Sequence, residues 1–301
     1  MATMNTGISW TTSTWNPTTG CTKVSAGCDH CYAEALTKRL FGGGFDVVRE
    51  HPNRLGQVRA FKPLSDDGGN LRPRLVFVNS MSDLFHRDIS PAFLAEVFDG
   101  METTPTTIYQ VLTKRPMSLR RFIEQRYKAS GVPAHIWLGV SVEDNRVSGR
   151  IDILRELKQS VGAFTAFLSV EPLIGLPDRH DYTAMDWVLI GGESGNGARK
   201  MEVDWARRSR DLSRKAGAAT WFKQFGTWAS NPLYVMSAGA THLDRVRAAI
   251  AGGEQKSWID MKSGRPVILG EKGGATLDGQ VLHEYPPHYH QLCRELAPSL
   301  F

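Results

Sequence analysis

Ile136-Trp-Leu-Gly-Val-Ser-Val-Glu143 is an apolar run that stops abruptly in polar residues. Its β-branched and aromatic side chains show no clear alternation, the pattern of a strand buried on both faces of a parallel sheet. The same figure recurs on either side of it. Leu75–Asn79 leads into Ser80-Met-Ser-Asp83, Ile108–Leu112 into Thr113-Lys-Arg115, and Phe164–Leu168 into Ser169-Val-Glu171. Trp187–Ile190 leads into Gly191-Gly-Glu-Ser194, and Thr220–Phe222 into Lys223-Gln224. Helix signals lie between them. Ser90-Pro91 supplies an N-cap and a first-turn proline, and Phe93 with Val97 and Leu94 with Phe98 then form an apolar stripe. Asp204 is placed to cap a helix over Trp205–Ala216; its Arg207, Arg208, Arg210, Arg214 and Lys215 read as a solvated face. Strands alternating with helices imply right-handed β-α-β units, and polar residues at successive carboxyl strand ends favour a barrel over an open sheet. The expected fold is α/β: a partial (β/α)6-type barrel over residues 1–226, with an irregular insertion at 41–73 and a small C-terminal appendage at 227–301. Within the appendage Gly252-Gly253 and Gly273-Gly274 mark breaks, and Asp278-Gly279 suggests a hairpin.

Composition narrows the class. The chain has 301 residues, 41% hydrophobic and 22% charged, which suits an ordinary soluble globular protein. It contains no run of about 18 apolar residues, and Met1–Trp10 has neither a cationic start nor a long apolar stretch. A cytoplasmic protein without membrane partners is therefore expected. Lys and Arg total 36 against 31 Asp and Glu, and the net charge of +5 favours anionic partners such as nucleic acid. A soluble enzyme that is merely basic has the same balance.

Of four cysteines, Cys21, Cys28 and Cys31 fall within eleven residues and Cys293 stands apart. In a reducing compartment such a group marks a metal or redox site rather than a disulfide framework. The triad lies in a loop entering a helix at Ala33–Leu40, where the helix N-terminus favours thiolate charge and Gly20 and Gly27 permit close approach. Two metal centres compete for it: tetrahedral zinc with a fourth ligand such as His30 or His86, and an iron–sulfur cluster on three thiols. Spacing alone leans towards zinc. Placement after a first strand near Ile8–Trp15, at the mouth of the expected barrel, favours the cluster.

This arrangement resembles that of the radical S-adenosylmethionine (SAM) enzymes. Thr14-Trp-Asn-Pro17, Gly20-Cys21, Cys31-Tyr-Ala-Glu34, Asn79–Phe85, Val111–Pro116, Leu138–Glu143, Gly191–Ser194 and Lys223-Gln224 together resemble a three-cysteine family labelled only as phage protein. The commonest radical SAM loop has three residues between its first two cysteines, and this chain has six. The resemblance implies a [4Fe-4S] cluster on Cys21, Cys28 and Cys31 with one iron open to SAM, and an electron donor such as flavodoxin or ferredoxin. It makes His30 and Tyr32 candidates to pack on adenine, Asn79, Ser80 and Asp83 to hold the SAM amino group, and Ser141 and Glu143 to hold its ribose or methionine part. Lys114 and Arg115 suit the SAM carboxylate or a substrate phosphate, or else a structural ion pair with Glu143 or Glu171. Glu171, Glu193 and Lys223 are expected over the same cavity, orienting substrate or exchanging protons, with Gly191-Gly192 admitting a ligand to the backbone. Cys293 is either a hydrogen-atom donor folded over the mouth or a buried helix residue. The most concrete activity implied is repair of ultraviolet-damaged DNA, as in spore photoproduct lyase. Modification of tRNA or a small molecule, and a zinc-stabilised nucleic-acid-binding or phage accessory protein without catalysis, are the alternatives.

Overall fold

The computed structural model describes residues 2–65, 69–234, 240–251 and 272–296. The α/β expectation holds. The central sheet has eight strands in sequential order: β1 (Ala2–Thr3), β2 (Ser13–Trp15), β3 (Arg74–Val78), β4 (Thr107–Thr113), β5 (Ile136–Ser141), β6 (Ala166–Val170), β7 (Trp187–Gly191) and β8 (Ala219–Gln224). Every neighbouring pair from β2 to β8 is parallel, and only β1 runs antiparallel, on the outer edge of β2. The expected first strand is shorter than Ile8–Trp15, because Trp10 leaves the strand direction and packs against Phe77 and Trp187.

Helices α1 (Tyr32–Phe41), α2 (Pro91–Glu102), α3 (Pro116–Tyr127), α4 (Gly149–Val161) and α5 (Val203–Ala216) lie between strands, and α6 (His242–Ala251) follows β8. Ser90 caps α2 as expected, its hydroxyl accepting from the Phe93 amide at 3.2 Å. Asp204 does not cap α5. It falls inside the first turn and pairs with Arg207, while Glu202 occupies the cap position without a side-chain bond. The β6–β7 connection has no helix; Pro172, Gly175 and Pro177 remove the donors and the rigidity that a helix would need there.

Alternation along each buried strand separates two cores. Val76, Val78, Leu138, Val140, Leu168 and Val188 meet the helices. Leu75, Ile108, Trp137, Phe167, Trp187 and Trp221 form an aromatic-rich inner layer at the amino-terminal half of the strands. Gly139 makes room there: a Cβ would lie 2.5 Å from the Phe167 ring. Gly139→Ala should therefore cost about 1–3 kcal/mol by overpacking, read as a lower urea midpoint at unchanged slope.

The described part of the C-terminal segment closes the sheet's exposed surfaces. Phe222 donates its amide to Leu282 O at 2.8 Å and Glu284 donates to Thr220 O at 3.1 Å, which covers the edge of β8. Helix α7 (Pro287–Leu296) seals the inner layer from below through Tyr289, and Trp137 donates to His288 Nδ1 at 3.3 Å. The Asp278-Gly279 turn is present, with φ of 54° and 74° and reciprocal Leu277–Gln280 backbone bonds. The stretches at 66–68 and Gly252-Gly253 lie outside the described residues. No helix among the described residues is long and apolar enough to cross a membrane.

Candidate functional site

Above the aromatic layer, the carboxyl ends of the strands open on a cavity of about 620 Å³, within the usual range for small-molecule sites. Ile8, Trp10, Phe77 and Leu112 make its floor. Ser141, Ser169, Glu171, Glu193, Lys223 and Gln224 line its polar wall, and Cys21, Cys28 and Cys31 border it with His30 and Tyr32. Asn79, Ser80, Asp83, Lys114 and Arg115 also reach it. Residues separated by more than two hundred positions are thus gathered at one end of the sheet.

The cysteine loop has a local logic. Gly20, at φ 88°, lies so close to the insertion that a Cβ would fall 2.1 Å from Val47 O, and Cys21 donates its amide to Phe45 O at 2.7 Å. A short turn over Ala26–Cys28 follows, and Cys31 occupies the N-cap of α1, where the helix dipole favours negative charge. Burial and then Asp83 push the Cys21 thiol above its ordinary range, while Arg115, whose Nη1 lies 3.5 Å from Sγ, draws it down. The three thiols border one cavity without converging on a point: among the described residues no group of three or more His, Cys, Asp or Glu is gathered to hold a metal ion. Neither histidine weighed as a fourth ligand has both nitrogens free. His86 is buried, with Nε2 2.7 Å from Thr22 Oγ1 and Nδ1 accepting from the Asp88 amide, and burial pushes its imidazole below the ordinary histidine range. His30 Nδ1 lies 3.1 Å from Glu193 Oε2.

Most strand-end carboxylates are engaged within the protein. Asp83 accepts from the Phe85 and Lys114 amides, from Thr113 Oγ1 at 2.7 Å and from Arg115 Nη1 at 3.0 Å. Glu143 does not line the cavity. It is buried, 1% exposed, between Lys114, Arg150 and Ser25, so the structural alternative for Lys114 is the one observed. Burial alone would raise the Glu143 carboxyl, but Lys114 and Arg150 hold it below the ordinary range. Arg199, which sequence inspection passed over, grips both oxygens of Glu193 and outweighs the effect of burial, so that this carboxyl too is held low. Asn79, at φ 62°, ties Thr18 from both ends of its amide, and Ser80 bonds Asn16 through its hydroxyl and Tyr32 through its carbonyl.

Glu171 and Lys223 face the cavity as a pair, 3.0 Å apart, with Ser169 at 3.4 Å from the carboxylate. Gly191 and Gly192 make room for atoms of the protein itself, and Gly192 also lines the cavity. A Cβ on Gly191 would strike Glu171 Oε1 at 2.4 Å, and one on Gly192 would strike Phe225 O at 2.0 Å. Cys293 does not fold over the mouth. It packs in α7 against the inner apolar layer, at the amino-terminal end of the strands. On α5, Arg207 and Arg210 are paired with Asp204, Asp211 and Asp278, as a solvated face requires.

Fold and site together define a mixed α/β protein with a mostly parallel sheet, whose carboxyl strand ends carry a cysteine-bordered cavity. The chain belongs to the family described as Protein of unknown function (DUF5131), which matches residues 5–286. No curated protein matches it. Among solved structures it is similar to an alanine mutant of spore photoproduct lyase with dinucleoside spore photoproduct, at 11% identity and a TM-score of 0.40. That match covers 66% of this chain and 59% of the lyase chain.

Proposed function

We propose that the protein is a radical SAM enzyme: Cys21, Cys28 and Cys31 hold a [4Fe-4S] cluster, and SAM sits beside it in the cavity. The observation that carries this reading is the placement of three thiols on one cavity at the carboxyl ends of parallel strands. The donor set fits the group. A cluster takes its thiolates at separate iron corners, whereas a single zinc ion needs its ligands within about 2.3 Å of one centre. The engagement of both ring nitrogens of His86, with Thr22 and Asp88, argues against it as a fourth zinc ligand. When bound and reduced, the cluster supplies the electron that cleaves the sulfonium of SAM.

The chain's own residues bind, orient and exclude water. Lys223 and Glu171 offer an ammonium and a carboxylate to a zwitterionic or hydrogen-bonding ligand, and Ser141 and Ser169 add hydroxyls beside them. The Ile8, Trp10, Phe77 and Leu112 floor keeps the lower half of the cavity dry. For the substrate we propose nucleic acid, with an ultraviolet-damaged base in DNA as the specific case. Next to the insertion that supplies Phe45 and Asp46 to the cavity, Phe41 is 77% exposed, flanked by exposed Lys38 and Arg39. An aromatic face beside cations suits an unstacked base and its phosphates.

Anaerobic purification with metal analysis, an absorption spectrum and a SAM-cleavage assay tests the reading. Brown iron protein that cleaves SAM is expected, and colourless zinc protein would reject it. Irradiated DNA left unchanged by active enzyme would reject the repair reaction and leave tRNA or a small molecule as substrate. Phe41→Ala should weaken single-stranded DNA binding by about 1–3 kcal/mol, measured by fluorescence anisotropy at fixed salt.

A further inference from the structure

The carboxylates that follow β3, β5 and β7 share a feature: each is tied to the cysteine loop, directly or through an arginine. After β3, Asp83 binds Arg115, which donates to Thr22 O at 2.9 Å and Thr22 Oγ1 at 3.0 Å, with Nη1 3.5 Å from Cys21 Sγ. After β5, Glu143 accepts from Ser25 Oγ at 2.9 Å and packs so tightly under Gly27 that a Cβ there would fall 2.3 Å from its Cγ. Lys114 and Arg150 fix that carboxylate from below. After β7, Glu193 binds His30 and Arg199; Arg199 in turn donates to Ala26 O at 2.8 Å and approaches Asp29 at 3.5 Å. The ends of β3, β4, β5 and β7 therefore grip the loop at its start, middle and end.

We infer that Asp83, Glu143 and Glu193, acting with Arg115, Arg150 and Arg199, are positioning residues that hold the Cys21–Cys31 loop against the cavity before any cluster is present. The assignment rests on the cluster reading of the three cysteines. One physical consequence follows from it. The loop's ordering is supplied by the fold rather than by the metal, so binding does not have to offset it. Outer partners of this kind orient ligands without touching the group they hold.

Arg199 is the clamp to test, because its side chain is 31% exposed and its loss leaves the core intact. Arg199→Ala and Arg199→Lys are compared with the parent in two measurements. In metal-free protein, hydrogen–deuterium exchange is followed across residues 25–31. In reconstituted protein, iron loss to a chelator is timed without oxygen. Arg199→Ala should speed exchange in the loop but not in β3–β8, and weaken iron retention by about 10- to 100-fold. Arg199→Lys should recover only part of this, since an ammonium cannot span Glu193 and the Ala26 carbonyl with fixed donors as a guanidinium does. Glu143→Gln, with the other clamps intact, serves as the second variant. Unchanged loop exchange in both Arg199→Ala and Glu143→Gln would overturn the assignment. If the parent takes up no iron, the cluster reading falls, and exchange in the metal-free loop still decides whether the clamps order it.

Discussion

Cys28→Ala is expected to purify as a folded but colourless protein, with iron near background and no detectable SAM cleavage. Cys28 is the informative thiol because little else depends on it. Its sulfur has Ser25 Oγ at 4.0 Å, too far to matter to stability, and the turn that carries it is closed by the backbone bond from Cys28 N to Ser25 O at 2.9 Å. Alanine keeps that turn, so the melting temperature of the metal-free variant should match the parent, with any change within about 0.5 kcal/mol. Cys21 is less clean, since its thiol sits against Arg115 and Asp83 and its removal also alters that ion pair. Cys293→Ala supplies the contrast. It lies in α7 at the other end of the strands, so iron content and SAM cleavage should both survive its loss. A Cys28→Ala protein that retained full iron and an unchanged spectrum would end the three-thiol cluster reading.

The elements were legible because buried parallel strands and their polar endings are local features. Trp187–Ile190 and Gly191–Ser194 can be recognised without knowing what packs on them, as can the cap at Ser90 and the turn at Asp278-Gly279. The absence of a helix after β6 follows from Pro172, Gly175 and Pro177, although the alternating rhythm of the chain suggests one there. The engagement of the strand-end carboxylates was not legible. Glu143 reads as a polar residue at a barrel mouth, and nothing in its neighbourhood says that Arg150 folds back on it or that Ser25, 118 positions away, hydrogen-bonds it. Arg199 sits in a glycine-bearing loop with no periodicity, so its hold on Glu193 and Ala26 emerges only from the fold. Gly191-Gly192 shows the same limit from the other side: a requirement for close approach was visible, but what approaches is a carboxylate and a carbonyl of the chain itself.

Glu143→Leu should be among the most damaging single substitutions outside the apolar core, lowering stability by about 3–5 kcal/mol, because it leaves buried cations without their counter-charge. The native carboxylate is 1% exposed and accepts from Lys114, Arg150 and Ser25 at once. Removing it strands Arg150, itself 8% exposed, with only the Ser141 carbonyl. The loss belongs to the unpaired partner rather than to the pair, so Arg150→Met should partly rescue Glu143→Leu, and a double-mutant cycle on urea midpoints should show coupling of about 0.5–3 kcal/mol. The acid limb supplies a separate readout. Since the folded carboxyl is held below the ordinary glutamate value of 4.5, its stabilisation is complete above that pH and is lost as pH falls through the folded value. Glu143→Gln has no proton to gain there, so its stability should fall less steeply below pH 4.5 than that of the parent. Equal acid slopes in the two proteins would mean that the carboxylate is not held in its ionised form by Lys114 and Arg150, and the middle clamp on the cysteine loop would lose its electrostatic basis.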